Sequence, residues 1–146
     1  MNMLNILDIS AAGMDVQQAR LEVAASNLAN SSTTAAQNGS VYRPLTVVVR
    51  SSAPSYVAEN GVAAAVDALP RPSVAAVTEL NVAPRLVYDP GHPDADARGF
   101  VSQPGVDPIG SMLDLMSISR TYEANLRAFD ITRSLLQRTM DMGNRQ

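Results

Sequence analysis

The chain has 146 residues, a formal net charge of −3 and no cysteine. The acidic balance argues against a nucleic-acid-binding surface, and the lack of thiols excludes disulfides and cysteine-ligated metals. All nine prolines lie between Pro44 and Pro108, and a proline inside a helix costs about 3 kcal/mol. Because both ends of the chain lack proline, the composition favours a helix at each end and a non-helical middle.

The sequence also argues against two kinds of membrane-related segment. It has no run of about 20 apolar residues, the length that a direct membrane span requires. Residues 1–15 contain no basic side chain and include Asp8, so we expect no cleavable signal peptide. If the chain leaves the cytoplasm, we expect it to use another export route.

The first predicted element is a helix over residues 4–30. Apolar and small residues recur there at alternating spacings of three and four, the repeat of a coiled-coil seam. The members are Leu4, Leu7, Ala11, Met14, Leu21, Ala25 and Leu28, with Gln18 as the one polar member. Gly13 is a weak point, since glycine costs a helix about 1 kcal/mol relative to alanine. The polar run of residues 30–34 competes for backbone hydrogen bonds and predicts the helix end near Asn30.

The middle of the chain is predicted to hold a small β element. Residues 46–50 and 86–88 are β-branched or aromatic runs typical of strands, and residues 74–80 are a further candidate. Loops are predicted at residues 37–40, 69–72 and 89–105, and residues 62–66 are left unassigned. We expect too little structure here to build the walls of an enzyme cleft.

A polar cluster surrounds His92, the single histidine. Asp89, Asp94 and Asp96 are candidate oxygen ligands for Ca²⁺, but their spacing lacks the turn glycine and terminal glutamate of an EF-hand loop. Asp-Pro-Gly is a turn sequence in which aspartate side chains bond backbone amides. We therefore interpret this segment as a structural turn and keep the cation site as the alternative.

Motifs of catalysis are absent from the sequence. One histidine between prolines offers no recognisable triad, and there is no phosphate-binding glycine loop, GxSxG elbow or HExxH pair. We predict that the chain is not an enzyme and has no catalytic residue, no metal and no cofactor.

The last predicted element is a helix over residues 111–142. Its repeat comprises Met112, Leu115, Ser119, Tyr122, Leu126, Phe129, Arg133, Leu136 and Met140. Asp107 or Ser111 is predicted to cap the start and Gly143 to end the helix. Glu123 and Arg127 are spaced to form a favourable ion pair along it.

The predicted fold class is mainly α with a small β element. Long N- and C-terminal helices pack as a coiled coil, and the segment between them is irregular or antiparallel β. We divide the chain into residues 1–30, 31–108 and 109–146, with the first and last forming one domain. Neither helix can bury its apolar seam alone, so a hairpin within one chain and packing against other chains both remain open.

Both ends of the chain resemble the bacterial flagellar axial proteins, the rod and hook family. Residues 24–34 read AASNLANSSTT, a helix ending in Asn-Leu-Ala-Asn before threonines, and Tyr42-Arg43 supplies the Tyr-basic pair that follows. Residues 120–125, RTYEAN, are similar to the C-terminal signature of the same family. Residues 86–96, with GFV and PGVD after them, look most like the proximal-rod members. The chain departs from the family in having Ala35-Ala36 and Arg43 where glycine and lysine are common.

The resemblance implies a structural subunit of the proximal rod of the flagellar basal body. Such a subunit is exported by the flagellar type III apparatus, lies in the periplasm and transmits torque through a helical assembly. Its terminal helices, disordered in the free subunit, fold on assembly and line the inner tube. Implied partners are other rod subunits, further copies of the chain, the inner-membrane ring adaptor and the surrounding periplasmic ring.

On this interpretation we expect the subunit interface to use apolar seam residues and selected asparagines. They are Leu4, Leu7, Met14, Leu21, Asn27, Leu28, Asn30, Met112, Leu115, Tyr122, Asn125, Leu126, Phe129, Leu136 and Met140. Because asparagine is a poor mid-helix residue, Asn27 and Asn30 should either cap the helix or bond across subunits. The alternatives are another rod or hook axial subunit, or a Ca²⁺-binding or helical-hairpin adaptor module.

Overall fold

Two helices and four strands make up the structure, a computed structural model that describes residues 3–34, 40–52 and 70–143, with side chains from Ile6 onward. The elements in chain order are α1 (Met3–Ala29), β1 (Leu45–Ser52), β2 (Arg71–Glu79), β3 (Arg85–Tyr88), β4 (Phe100–Gln103) and α2 (Pro108–Gly143). The prediction of a mainly α chain with a small β element is confirmed. Residues 37–39 of one predicted loop and the unassigned residues 62–66 lie outside the described residues.

Polar side chains end α1 where the sequence predicts. Asn30 Nδ2 donates to the carbonyl oxygen of Ser26 over 2.8 Å, and Ser31 Oγ donates to that of Leu28 over 2.7 Å. Thr33 Oγ1 donates to the carbonyl oxygen of Asn30 over 2.8 Å. The backbone N–H groups of Asn30, Ser31 and Thr33 donate to the same three carbonyls, so each side chain adds a second bond where the helix ends.

Asp107 caps the start of α2, as predicted. Its Oδ1 accepts a hydrogen bond from the backbone N–H of Ile109 over 3.1 Å. Pro108 occupies the first helical position, where its missing N–H costs nothing and its fixed φ favours the helix. The helix therefore begins three residues earlier than predicted, and Ser111 lies within its first turn.

Strands β1 and β2 form a two-stranded antiparallel sheet. At one end the backbone N–H of Leu80 donates to the carbonyl oxygen of Pro44 over 2.7 Å, and at the other Ser73 Oγ donates to that of Arg50 over 3.3 Å. β2 begins at Arg71 and includes Pro72, so the loop prediction for residues 69–72 is wrong at these two positions. Proline is tolerated there because β2 is an edge strand.

Strands β3 and β4 form the second antiparallel sheet. Val87 is opposite Val101 and Tyr88 is opposite Phe100, with the two rings edge to face and their centroids 5.3 Å apart. The prediction of a continuous loop over residues 89–105 is therefore wrong where β4 lies. β4 reads Phe-Val-Ser-Gln, which lacks a continuous β-branched or aromatic run, so it is defined by its pairing with β3.

The buried apolar core is small throughout the described residues. Val16, Val101 and Val106 are the buried hydrophobic residues there, and Pro104, between Val101 and Val106 in the sequence, is fully buried. The chain divides into two compact units: unit 1 contains residues 1–19, 48–76 and 118–146, and unit 2 contains residues 20–47 and 77–117. Valine side chains bury little area each, so this core supplies little of the hydrophobic stabilisation of an ordinary domain.

The turn that joins β3 to β4 depends on Gly99. This residue has φ +82°, in the left-handed region that residues other than glycine rarely adopt. A Cβ atom at this position would also lie 3.0 Å from Tyr88 Cε2. Its carbonyl oxygen accepts a hydrogen bond from the N–H of Asp89 over 2.9 Å. The turn therefore requires glycine for its backbone conformation and for the space beside Tyr88.

We predict that Gly99→Ala lowers the stability of the β3–β4 hairpin by about 1–3 kcal/mol, because alanine is strained at this φ. Amide hydrogen exchange across β3 and β4 measures the loss. The matched control is Gly91→Ala, whose Cβ would meet only Asp89 Oδ1 at an ordinary 3.6 Å. Equal protection in the two variants would contradict the assigned role of Gly99.

Candidate assembly surface

The predicted seam of α1 is mostly half-buried within the single chain. Leu7, Met14 and Leu28 are half-buried, and Leu21 is exposed. Leu4 lies in α1, but its side chain is outside the described residues. Val16 is the one buried residue among the described side chains of α1, at 4% exposure. The sequence analysis missed Val16 because it falls two residues after Met14, outside the three-and-four repeat.

Gly13 marks a close approach between α1 and α2 within unit 1. A Cβ at this position would lie 3.2 Å from Asn125 Nδ2, which is tighter than ordinary packing. The helix therefore accepts the propensity cost of glycine where the half-buried Asn125 side chain needs room. This contact brings one predicted interface residue, Asn125, against the helix with which it was expected to pair.

One row of α2 side chains is half-buried. It contains Leu115, Ile118, Asn125, Phe129, Thr132 and Leu136, with Tyr122 at 37% exposure between them. This row differs from the predicted repeat at alternate positions, since Ile118, Asn125 and Thr132 replace Ser119, Leu126 and Arg133. Both series alternate spacings of three and four, so periodicity alone does not distinguish them.

Other apolar residues of α2 are exposed. The predicted interface residues Met112, Leu126 and Met140 are among them. So are Ile109, Leu113, Met116, Ile131, Leu135 and Met142, which were not among the predicted interface residues. A helix that is apolar on more than one side is usually buried on more than one side. These apolar residues are visible in the sequence, but the analysis of the three-and-four repeat considered only one apolar face of α2 and left out the second.

Asn27 joins the end of α1 to the start of β1. Its Oδ1 accepts the backbone N–H of Leu45 over 2.8 Å, and its Nδ2 donates to the carbonyl oxygen of Leu45 over 2.8 Å. The carboxamide thus satisfies both the backbone N–H and the backbone carbonyl of Leu45, as the backbone of a paired β-strand would. Tyr42 Oη also donates to Asn27 Oδ1 over 2.9 Å and lies 3.3 Å from Ser26 Oγ.

This cluster, the Asn27 junction, comprises Ser26, Asn27, Tyr42 and Leu45. It explains why the Asn-Leu-Ala-Asn and Tyr-basic motifs occur together although 15 residues separate Asn27 from Tyr42. Within the single chain Asn30 caps α1 and Asn27 bonds Leu45, and bonding of either asparagine across subunits stays a prediction. Arg43, the basic member, instead lies 3.4 Å from Glu79 in an exposed ion pair, which contributes little stability.

We predict that Asn27→Asp lowers the free energy of unfolding by about 1–3 kcal/mol, because a carboxylate oxygen then faces the carbonyl oxygen of Leu45 without a proton between them. Urea unfolding followed by circular dichroism measures the loss. Acidification should reduce the deficit, since protonation of the new carboxyl supplies a donor.

The matched control is Asn30→Asp, which places the same charge at the same helix end and removes one hydrogen bond to Ser26. We expect a smaller loss from it. A loss as large as that of Asn27→Asp would show that charge at the helix end, and not the bond pattern at Leu45, causes the effect.

Asp89 and Asp96 hold turns through nearby backbone amides, as predicted, whereas Asp94 bonds a distant residue. Asp89 Oδ1 accepts the N–H of Gly91 over 3.2 Å, and Asp94 Oδ2 accepts the hydroxyl of Thr34 over 2.6 Å. His92 Nδ1 accepts the N–H of Asp94 over 3.1 Å. Across residues 3–34, 40–52 and 70–143, no group of three histidine, cysteine or acidic side chains is arranged to hold a metal ion.

Asp96 organises the strand that follows. Its Oδ1 accepts the N–H groups of Phe100 over 2.9 Å and of Arg98 over 2.8 Å, and the Arg98 guanidinium lies 3.4 Å from Oδ2. The bond from Phe100 is the largest cause that holds the pKa of Asp96 below its ordinary value, and Arg98 adds to it. The carboxylate form of Asp96 therefore favours the folded turn.

We predict that the contribution of Asp96 to stability is present above the ordinary aspartate pKa and is lost as pH falls through its lowered pKa. Carboxyl titration by NMR should give a pKa below the ordinary value. In Asp96→Asn, the protection factor of the Phe100 amide, which is its exchange rate relative to the intrinsic rate at the same pH, should lose its dependence on pH in this acidic range. A pKa at or above the ordinary value would contradict the bonding described for Asp96.

None of the helices described in the structure is long and apolar enough to cross a membrane.

Comparison with known proteins matches both ends of the chain to flagellar families. The family model described as "Flagella basal body rod protein" matches residues 7–37. The model described as "Flagellar basal body rod FlgEFG protein C-terminal" matches residues 97–142. These two ranges include the Asn27 residue of the junction and nearly all of α2.

Whole proteins show a similarity that spans nearly the entire chain. The flagellar basal-body rod protein FlgC of Salmonella typhi is 39% identical over 143 residues, which cover 98% of this chain and 99% of that protein. The protein of the same description from Bacillus subtilis is 36% identical over 149 residues, covering 98% and 99%. That from Aquifex aeolicus is 37% identical over 145 residues, covering 97% of each. The chain therefore belongs to the FlgC family of flagellar basal-body rod proteins.

Proposed function

We propose that the chain carries mechanical load in the proximal rod, where it transmits torque through helices packed against neighbouring subunits. Membership in the FlgC family supports the broader part of this statement: the chain is a structural rod subunit of the flagellar basal body. The proximal position, the torque and the packing of the helices are the finer parts of the proposal.

The exposure of α2 is the observation that carries the proposal. None of its residues is buried, although it is 36 residues long. Ile109, Leu113 and Met116 are each more than 60% exposed on its first turns, and Ile131 and Met142 are as exposed further along. Apolar surface of this extent destabilises a solitary chain in water, and other subunits are its natural cover.

The interface that we propose combines the half-buried row with the exposed apolar residues beside it. Leu115, Tyr122, Asn125, Phe129 and Leu136 would pair with the α1 seam in a coiled coil. The α1 seam comprises Leu4, Leu7, Met14, Leu21 and Leu28. Met112, Leu126 and Met140 would contact neighbouring subunits, and Asn27 and Asn30 would fix the helix end from which these contacts are made.

The family resemblance also supports proposals about partners and location. Assembly with other basal-body components follows from rod membership. We infer that the partners include other rod subunits, copies of this chain, the inner-membrane ring adaptor and the periplasmic ring. Export through the type III apparatus would deliver the chain to the periplasm, and residues 1–30 and 109–146 would form one inner-tube domain as they fold on assembly.

Load transmission of this kind needs packed surfaces and no reacting group. The candidate polar cluster of the chain, around His92, is used by turns and by the bond from Thr34 to Asp94. We therefore propose that the chain acts without catalysis.

We predict that Leu126→Asp abolishes rod assembly while export continues. The side chain is 42% exposed in the single chain, so the isolated protein should tolerate the change. Burial of an unpaired carboxylate against a neighbour would then cost several kcal/mol. In a deletion strain complemented with the variant, we expect the motility of the deletion strain, few purified rods, and a normal amount of exported protein.

The matched control is Leu126→Met, which keeps an apolar side chain of similar volume and should restore swimming. Normal swimming with Leu126→Asp would contradict the proposed interface. A loss of export as well as of rods would show that the substitution acts before assembly, and would also count against the proposal.

A further inference from the structure

We propose that Met112 is a redox-sensitive site whose oxidation keeps the chain out of the rod. A peroxide converts its thioether to a sulfoxide before a neighbouring subunit covers it. The proposal rests on the proposed function, because it requires a neighbour to cover the first turns of α2. It adds a reversible covalent modification and the class of oxidant that makes it.

Met112 lies in an exposed apolar patch on the first turns of α2. The Met112 patch comprises Ile109, Met112, Leu113 and Met116, whose side chains are between 51% and 72% exposed. These four residues lie within about 100° of one another around the helix. Asp114, which is also exposed, lies about 160° around the helix from Met112, so the patch itself carries no charge. Met112 is therefore open to a dissolved oxidant in the single chain and lies among apolar side chains on α2.

A sulfoxide at Met112 has no side-chain hydrogen-bond donor beside it on α2. Residues three and four positions away are the neighbours on a helix surface, and here they are Pro108, Ile109, Leu115 and Met116. None of these four side chains donates a hydrogen bond. The polar oxygen of the sulfoxide is therefore left without a partner on its own helix once a neighbouring subunit excludes water.

The other exposed methionines of α2 have a donor side chain at this spacing. The donors are Ser119 and Arg120 for Met116, Gln137 for Met140 and Arg138 for Met142. A sulfoxide at these three positions can accept a hydrogen bond along α2, so oxidation there should interfere less with packing. Met112 is therefore the position on α2 at which oxidation conflicts most with apolar contact.

The chemical step is a two-electron transfer of one oxygen atom. A peroxide oxygen forms a bond to the Met112 sulfur as the O–O bond of hydrogen peroxide breaks, and the second oxygen leaves as water. The sulfur is oxidised by two electrons and the peroxide is reduced by two. Methionine sulfoxide reductases remove the oxygen again at the expense of a thiol reductant, so the modification is reversible.

Oxidation and assembly compete for the same side chain. The sulfoxide replaces an apolar group with a polar one, and burial of an unpartnered polar group weakens association at least about tenfold. In an assembled rod the neighbouring subunit covers Met112 and slows its reaction with peroxide. The site therefore acts on chains that have not yet assembled and leaves existing rods intact.

The first test imitates the sulfoxide with glutamine, a polar side chain of similar length. In a deletion strain complemented with Met112→Gln, we expect at least about tenfold fewer purified rods and a normal amount of exported chain. One matched control is Met112→Leu, which keeps an apolar side chain and should build rods normally. The other is Met116→Gln, which should cost fewer rods because Ser119 and Arg120 lie beside it. Normal rod numbers with Met112→Gln would overturn the proposal and leave the proposed function standing.

The second test applies the oxidant itself to cells that begin to synthesise the chain during exposure to sublethal hydrogen peroxide. Rods per cell are counted relative to untreated cells of the same strain. We expect Met112→Leu to retain several-fold more rods than the natural chain or Met116→Leu. The two leucine variants each lack one methionine, so their comparison separates this site from general peroxide damage. Equal losses in all three strains would overturn the proposal.

Peptide mass spectrometry of the treated natural strain locates the modified chains. We expect the sulfoxide of Met112 to be at least about tenfold more abundant in chains outside the rods than in purified rods. Equal abundance in the two fractions would also overturn the proposal, because oxidised chains would then have assembled. Absence of the natural chain from the rods of untreated cells would instead contradict the proposed function, and this proposal with it.

Discussion

The constraint on which this protein depends is that its long C-terminal helix cannot be buried by its own chain. α2 has 36 residues, a length of about 54 Å, and none of them is buried. The apolar core in the described residues consists of Val16, Val101 and Val106, with Pro104. Hydrophobic burial is the dominant favourable term in folding. The exposure of α2 therefore supports the proposal that neighbouring subunits of the rod cover this helix.

Side-chain hydrogen bonds fix local structure in this protein, which has only a small apolar core among its described residues. The Asn27 carboxamide pairs with both backbone groups of Leu45, and the side chains of Asn30 and Ser31 bond the last carbonyls of α1. In the β3–β4 turn, the Asp96 carboxylate accepts the backbone N–H groups of Arg98 and Phe100. Such bonds specify where a helix ends and a strand begins without burying much surface.

The sequence predicted the features that depend on local chemistry. Proline placement located both helices, and the polar run after Asn30 located the end of α1. Asp107 was one of two candidate caps for α2, which begins three residues before the predicted start. β-branched runs located β1 and β3. The Asp-Pro-Gly turn was also recognised, because its bonds join residues close in sequence.

Features that depend on distant partners were harder to predict. β4 is defined by pairing with β3, and Val16 is buried although it lies outside the apolar repeat of α1. The repeat of α2 permits Ile118 or Ser119 at the same turn, and the structure has Ile118 half-buried and Ser119 exposed. The sequence indicates only that Gly13 weakens the helix, whereas the structure shows that the Asn125 side chain needs the space beside it. The interface itself was anticipated as a single seam, whereas α2 has apolar residues on two sides.

The most direct test of the central claim is the rate of methionine oxidation along α2. Met112, Met116, Met140 and Met142 are exposed in the single chain and report on different parts of the helix. Mild peroxide treatment followed by mass spectrometry gives the rate at each sulfur. Burial of α2 between subunits predicts much slower oxidation in purified basal bodies than in the isolated chain. Equal rates in the two preparations at all four positions would contradict the claim that other subunits complete this fold.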